Sequence, residues 1–218
     1  MTCYFLSGLG ADKRIFDKLQ LPEGLQIIHI QWIPPYGNES LANYAKRLSV
    51  QINTAEPFQL LGVSFGGIIA TELSKIIKPQ KIIIISSVAT SKQLPFYFRF
   101  CAQFLLNPLI PAFVLKSENT LKSWIFGADN EEKKIMFNDI MQHSDIAFLK
   151  WAIEQLTTWE SITRAKNLFH IHGTQDKLFP LIFVKPDFII EGGGHLMVYD
   201  RAVDISEILR TLFATPQL

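Results

Sequence analysis

A serine hydroxyl becomes a nucleophile only when a base takes its proton, and the base works best when a carboxylate orients it and balances its charge. The segment Gly62-Val63-Ser64-Phe65-Gly66 matches G-x-S-x-G and is followed by Gly67. Before it lies Phe58-Gln59-Leu60-Leu61, which reads as a strand. After it lies Ile68-Ile69-Ala70-Thr71-Glu72-Leu73, which reads as a helix. A strand that turns so sharply into a helix strains the serine backbone, and small residues two before and two after it keep the chain from clashing with itself. The turn lifts the hydroxyl above the sheet, at a helix N-terminus whose amides favour negative charge. The plainer alternative is a glycine-rich turn with an inert serine.

The chain holds five histidines, His29, His143, His170, His172 and His195. Only His195 follows a strand in a glycine-rich loop, Glu191-Gly192-Gly193-Gly194-His195, which leaves the imidazole room beside the strand ends. It is the candidate base, against the alternative of a helix N-terminal residue. His29 lies within a strand, and His143 is expected at the surface. His170 and His172 share one strand face by the period of two; His172 could line the site but reads as a core histidine. Asp176, in His172-Gly173-Thr174-Gln175-Asp176-Lys177, follows a strand at the sheet end that carries Ser64, and is the candidate acid. Its alternative is an Asx-turn residue. Asp187 is second choice, because it precedes a strand and should lie at the opposite end. Acyl transfer also needs amide donors for an oxyanion. The N–H of Phe65, the residue after the nucleophile, is one. The N–H of Leu9 in Ser7-Gly8-Leu9-Gly10 is the other, since flanking glycines permit close approach.

Six short apolar runs must position these residues: 2–6, 25–32, 58–63, 81–86, 168–172 and 188–190. Runs without polar alternation suit strands buried on both faces, as in a parallel sheet. Helix-like stretches lie between them, at 12–19, 40–52 and 66–77, with a closing one at 195–212. Alternation of this kind indicates an α/β domain with right-handed crossovers. The pattern breaks between Ser87 and Asn167, where only helical stretches appear, one starting near Asp129 with Glu132 as a capping-box partner and one starting at Ser144. This is a helical insertion of roughly 70 to 80 residues. The expected division is a core of residues 1–87 and 160–218, with a helical cap of residues 88–159.

The composition narrows the function classes. The 218 residues are 48% hydrophobic with a net charge of +1, so no basic face for nucleic acid is expected. Cys3 and Cys101 suffice for neither a disulfide framework nor a four-ligand zinc site. Reduced thiols and the lack of a basic, signal-like leader give a cytoplasmic expectation. Asp129, Glu131 and Glu132 read as an acidic helix start, so no metal is expected, and no dinucleotide or phosphate-loop motif is present.

Together the Gly62–Gly66 turn, Asp176 after a late strand, His195 after the last strand and the Ser7–Gly10 loop resemble the α/β-hydrolase superfamily, over residues 1 to about 90 and about 160 to 218. More narrowly, Ser-Gly-Leu-Gly-Ala-Asp, His-Gly-Thr-x-Asp and Gly-Gly-x-His are similar to motifs of small bacterial hydrolases of unassigned substrate. The resemblance implies a sheet of about six parallel strands that lacks the superfamily's usual first two. It also implies a cap over the site, inserted before the strand that carries the acid. Many members have a histidine where this chain has Ser7. Ser64 at the nucleophile position differs from the aspartate of the dehalogenase and epoxide-hydrolase relatives.

The implied activity is a carboxylesterase-like serine hydrolase without cofactor, acting through an acyl-enzyme on a small ester with an apolar acyl or alcohol part. A thioesterase or acyltransferase would use the same three residues, and a hydrolase-fold binding protein would use none. Of the 17 Phe, nine lie between Phe96 and Phe169 inclusive. Phe96, Phe100 and Phe104 are candidate substrate-binding residues in an apolar pocket roofed by the cap. The same rings could instead glue cap to core, or face outward to a partner or membrane surface, although few Lys and Arg flank them and membrane contact is not expected.

Overall fold

The computed structural model describes residues 1–98, 100, 124–128 and 130–214. Its centre is a six-stranded, all-parallel sheet in the order β2-β1-β3-β4-β5-β6. The strands are β1 (Thr2–Leu6), β2 (Gln26–His29), β3 (Phe58–Val63), β4 (Lys81–Ile85), β5 (Leu168–Gly173) and β6 (Phe188–Ile190). Every residue of β3 and β4 is buried, as the unbroken apolar runs require of strands covered on both faces. The second strand is shorter than the sequence suggests. It passes one more hydrogen bond to β1, from Ile30 N–H to Phe5 C=O, and the chain then leaves the sheet ahead of Pro34-Pro35.

Helices pack on both faces. Helix α1 (Leu41–Leu48) starts at Ser40, whose hydroxyl accepts from Asn43 N–H, and buries Leu41, Tyr44, Ala45 and Leu48. Helix α2 (Phe65–Leu73) is buried along its whole length behind β3. It stops four residues before the sequence limit, where Ser74 caps it and its hydroxyl bonds back to Thr71 C=O. The 12–19 stretch reduces to a single 3₁₀ turn, Lys13–Phe16.

Among the described residues between β4 and β5 are the helices α3 (Glu131–His143) and α4 (Ile146–Thr158). The N-cap of α3 is Asn130, which accepts from Lys133 N–H. Glu132 accepts from Lys18 and Tyr199, and Asp129, its expected capping-box partner, lies outside the described residues. The N-cap of α4 is Asp145, while the Ser144 hydroxyl bonds Ile140 C=O and Gly10 C=O. Phe148, Leu149, Trp151, Ala152 and Leu156 of α4 are buried, and Phe148, Trp151, Ala152 and Leu156 share one apolar cluster with Tyr44 of α1 and Phe65 of α2. Trp151 donates to Glu39 C=O and Trp159 to the buried Glu72 carboxylate, so two indoles tie α4 to the sheet-covering layer.

The expected closing helix is two: α5 (Met197–Asp200) and α6 (Ala202–Ala214), separated at Arg201, whose φ of −114° and ψ of 30° are not helical. Among the described residues, no helix is long and apolar enough to cross a membrane.

The strand order reverses direction between β1 and β3. Open α/β sheets bind ligands at the carboxyl ends of the strands at such a reversal. Ser7–Gly10 and Ser64 directly follow those two strands.

Candidate functional site

The turn after β3 is built by close backbone approach. A Cβ on Gly62 would meet Gly66 C=O at 2.3 Å, and one on Gly66 would meet the carbonyls of Leu6 and Ser7 at 2.3 Å. Only hydrogen fits at either place. Between them Ser64 takes φ 52° and ψ −119°, a conformation that side chains resist. Its N–H still bonds to Ile85 C=O in the sheet, and its C=O accepts from the Ser87 hydroxyl at 2.7 Å. The side chain thereby stands above the sheet at the start of α2, and Phe65 N–H, at the first helical position, has no acceptor within the helix.

The other two candidates reach Ser64 because the loops after β5 and β6 interlock. A Cβ on Gly173 would fall 2.1 Å from Gly193 C=O. With hydrogen there, Thr174 N–H bonds Ile190 C=O and Gln175 N–H bonds Gly193 C=O. That lays the Gly192-Gly193-Gly194 loop on the turn that carries Asp176. His195 Nδ1 lies 2.8 Å from Asp176 Oδ2, and His195 Nε2 lies 2.9 Å from Ser64 Oγ. The carboxylate only accepts, so Nδ1–H donates to it and Nε2 offers a lone pair to the Ser64 hydroxyl. Asp176 and His195 are buried and Ser64 is half-buried.

Burial alone would raise the pKa of Asp176. The His195 charge and hydrogen bond, with His172 and the Phe179 N–H, outweigh it and hold the carboxyl below its ordinary range. The N–H groups of Leu178 and Phe179 each bond Asp176 Oδ1 at 2.9 Å, so the acid also closes its own Asx-type turn.

The loop after β1 lies beside the nucleophile: a Cβ on Gly8 would be 3.6 Å from Ser64 Cβ. Leu9 is half-buried against the core. Ser7 has a definite task, since its hydroxyl donates to Ala11 C=O at 2.6 Å and accepts from Trp32 Nε1–H at 3.0 Å, closing the loop.

The other described candidates make their contacts elsewhere. Asp187 bonds His170 N–H and pairs with Arg164. His29 packs against Phe5 and Phe16, and the His143 ring bonds Asp139 C=O at the exposed end of α3. Phe96 and Phe100 are 81% and 76% exposed, and Phe96 packs edge-on to Tyr97 and Phe183. Phe104 and Cys101 lie outside the described residues. Among the described residues, the rings packed edge-on to His195 are Phe126 and Phe179, with centroids 5.5 and 5.6 Å away. Neither was singled out by sequence; Phe179 had a signal in its place three residues after Asp176, Phe126 had none. Among the described residues, no group of three or more His, Cys, Asp or Glu could hold a metal ion.

No protein-family model and no curated protein matches the chain. Solved structures do. A thermophilic esterase from Thermogutta terrifontis superposes with a TM-score of 0.71 at 14% identity, covering 98% of this chain and 89% of the other. A hydrolase from Oleispira antarctica gives 0.74 at 14% identity, over 98% and 91%. A lipase-esterase related protein from Clostridium acetobutylicum gives 0.66 at 18% identity, over 97% and 93%. The chain has the α/β-hydrolase fold. In this α/β-hydrolase fold the strand that opens the chain already leads into the Ser7–Gly10 loop, and the sheet has six strands as the sequence resemblance implied.

Proposed function

We propose that this chain is a serine hydrolase that cleaves a carboxylic ester with an apolar acyl or alcohol part. The observation that carries the reading is the unbroken contact from Ser64 Oγ through His195 to Asp176, at 2.9 and 2.8 Å. Neighbours of the same fold named as esterases and hydrolases support it.

In this reading Ser64 Oγ attacks the carbonyl carbon while its proton passes to His195 Nε2. Asp176 holds the ring in the Nδ1–H tautomer and stabilises the imidazolium. The N–H groups of Phe65 and Leu9 bind the oxyanion, helped by the positive end of α2. The imidazolium then protonates the departing alcohol, leaving an acyl group on Ser64. Water, deprotonated by His195, releases the acid and restores the serine. No step needs a cofactor. Phe126 and Phe179 form the apolar wall beside the reacting atoms, and residues 88–159 act as the cap, with Phe96 and Phe100 at its outer rim.

The test is a panel of oxygen esters and acyl-thioesters of increasing acyl length, with steady-state and burst kinetics. Esters with apolar acyl groups should turn over with a burst of one leaving group per site. Faster thioester turnover would move the assignment to a thioesterase using the same residues. No turnover of either class by folded protein would contradict the reading.

A further inference from the structure

The mechanism leaves two buried imidazoles without a task. His170 and His172 are fully buried and follow the same face of β5. Their partners fix their protons. Phe179 C=O only accepts, so His172 Nε2, 2.7 Å from it, carries hydrogen. Burial keeps the ring neutral, against the pull of Asp176, so its Nδ1 is a lone pair. His170 Nε2, 3.1 Å away, must then donate into that lone pair. The assignment leaves His170 Nδ1 as a lone pair; the ring's other polar neighbour is the Ser87 backbone, and no hydrogen bond to Nδ1 closes there.

Phe179 joins this pair to the site. Its N–H donates to Asp176 Oδ1, its C=O receives the His172 N–H, and its ring stands edge-on to His195. His172 Nε2 is also 3.6 Å from Asp176 Oδ2, the oxygen that accepts from His195. One N–H therefore fixes the far end of the Asp176 turn and aims partial positive charge at the carboxylate.

We propose that His172 is a positioning residue for Asp176, locked in its Nε2–H tautomer by His170, and that this pair sets the orientation and charge of the acid behind His195. The inference rests on the Ser64–His195–Asp176 reading. The titratable and charged groups acting on His172 are Asp176, His195 and His170, with Arg164 beyond His170.

The experiment measures kcat and KM of the full chain on an ester from about pH 5 to 9, with sites counted by fluorophosphonate titration. The variants are His172→Leu, His172→Gln, His170→Leu and Ser64→Ala. His172→Leu should lower kcat per labelled site by about 10- to 100-fold, the scale for losing a partner that orients a working ligand. KM should stay nearly unchanged. The acid limb should move to lower pH, because a loosened Asp176 stabilises the His195 cation less. His172→Gln, whose amide N–H can reach Phe179 C=O, should recover most of the loss. His170→Leu should move the limb in the same direction. Wild-type kcat per site in His172→Leu overturns the proposal. So does a lower kcat with an unmoved limb and no recovery in His172→Gln. If His172→Leu does not fold, an unmoved limb in His170→Leu overturns the tautomer lock. Retained turnover in Ser64→Ala would defeat the underlying reading instead, which separates the two failures.

Discussion

His195 Nε2 stands 2.9 Å from Ser64 Oγ although 131 positions separate the two residues. A parallel sheet makes the meeting possible, because the loops after β3, β5 and β6 all leave from one edge. Two sets of glycines then make it close. Gly62 and Gly66 let the β3 turn fold against the end of β1, and Gly173 lets the β6 loop rest on the β5 turn. A methyl group at any of these positions would force apart backbones that hold the contact.

The strain at Ser64 should be measurable as stability. Its φ of 52° with ψ −119° costs an ordinary residue about 1–3 kcal/mol, and glycine escapes most of that. Ser64→Gly is expected to be more stable than Ser64→Ala by about 1 kcal/mol in urea unfolding, after allowing for glycine's greater unfolded-state entropy. Comparing these two variants removes the lost hydroxyl from the difference. Equal stabilities would mean that the turn relaxes without a side chain to strain it.

Acid should destabilise the protein through His170 well before it reaches the carboxylates. Burial, with His172 and Arg164 nearby, pushes the His170 pKa from 6.5 down to about 3. The unfolded chain therefore takes a proton below pH 6.5 that the native state refuses, and stability falls as pH drops from 6.5 toward 3. At pH 5 this amounts to roughly 2 kcal/mol relative to pH 7. His170→Leu should lose about that much less between pH 7 and 5 in urea titrations. Asp176, with its pKa also depressed, gives up its share only at lower pH, below the ordinary carboxylate range. Parallel curves for the two proteins would show that His170 titrates normally.

The strands and the three contacting residues were legible because they depend on local pattern: unbroken apolar runs, a small-x-Ser-x-small turn, and polar residues just past strand ends. Element ends were less so. Asp145 rather than Ser144 caps α4, and Arg201 splits the last helix, because neighbouring candidates compete for the same terminal amides and only tertiary packing chooses between them. The contacts of Phe126 and Phe179 with His195 depend on how loops fold over the sheet, which no short-range period encodes. The same holds for Ser7. Its bond from Trp32 joins residues 25 positions apart, and the sequence alone marks Ser7 as the start of the Ser7–Gly10 loop and as a departure from the superfamily pattern, with no hint of Trp32.

That bond gives a prediction of its own. Ser7→Ala leaves Trp32 N–H and Ala11 C=O without their shared partner, at a cost of about 1–3 kcal/mol. If the loop carries an oxyanion donor at Leu9, kcat should fall about tenfold or more while KM stays nearly constant, as for loss of an interaction made only in the transition state. A stability loss with wild-type kcat would place the donor elsewhere.

The most direct test of the account is covalent labelling of the folded protein with a fluorophosphonate, followed by peptide mapping. Ser64 should carry a single adduct, and both Ser64→Ala and His195→Ala should react at least about a thousandfold more slowly while unfolding normally in urea. A folded wild-type protein that takes no label, or a Ser64→Ala variant that labels at the wild-type rate, would contradict the assignment of Ser64 as the nucleophile.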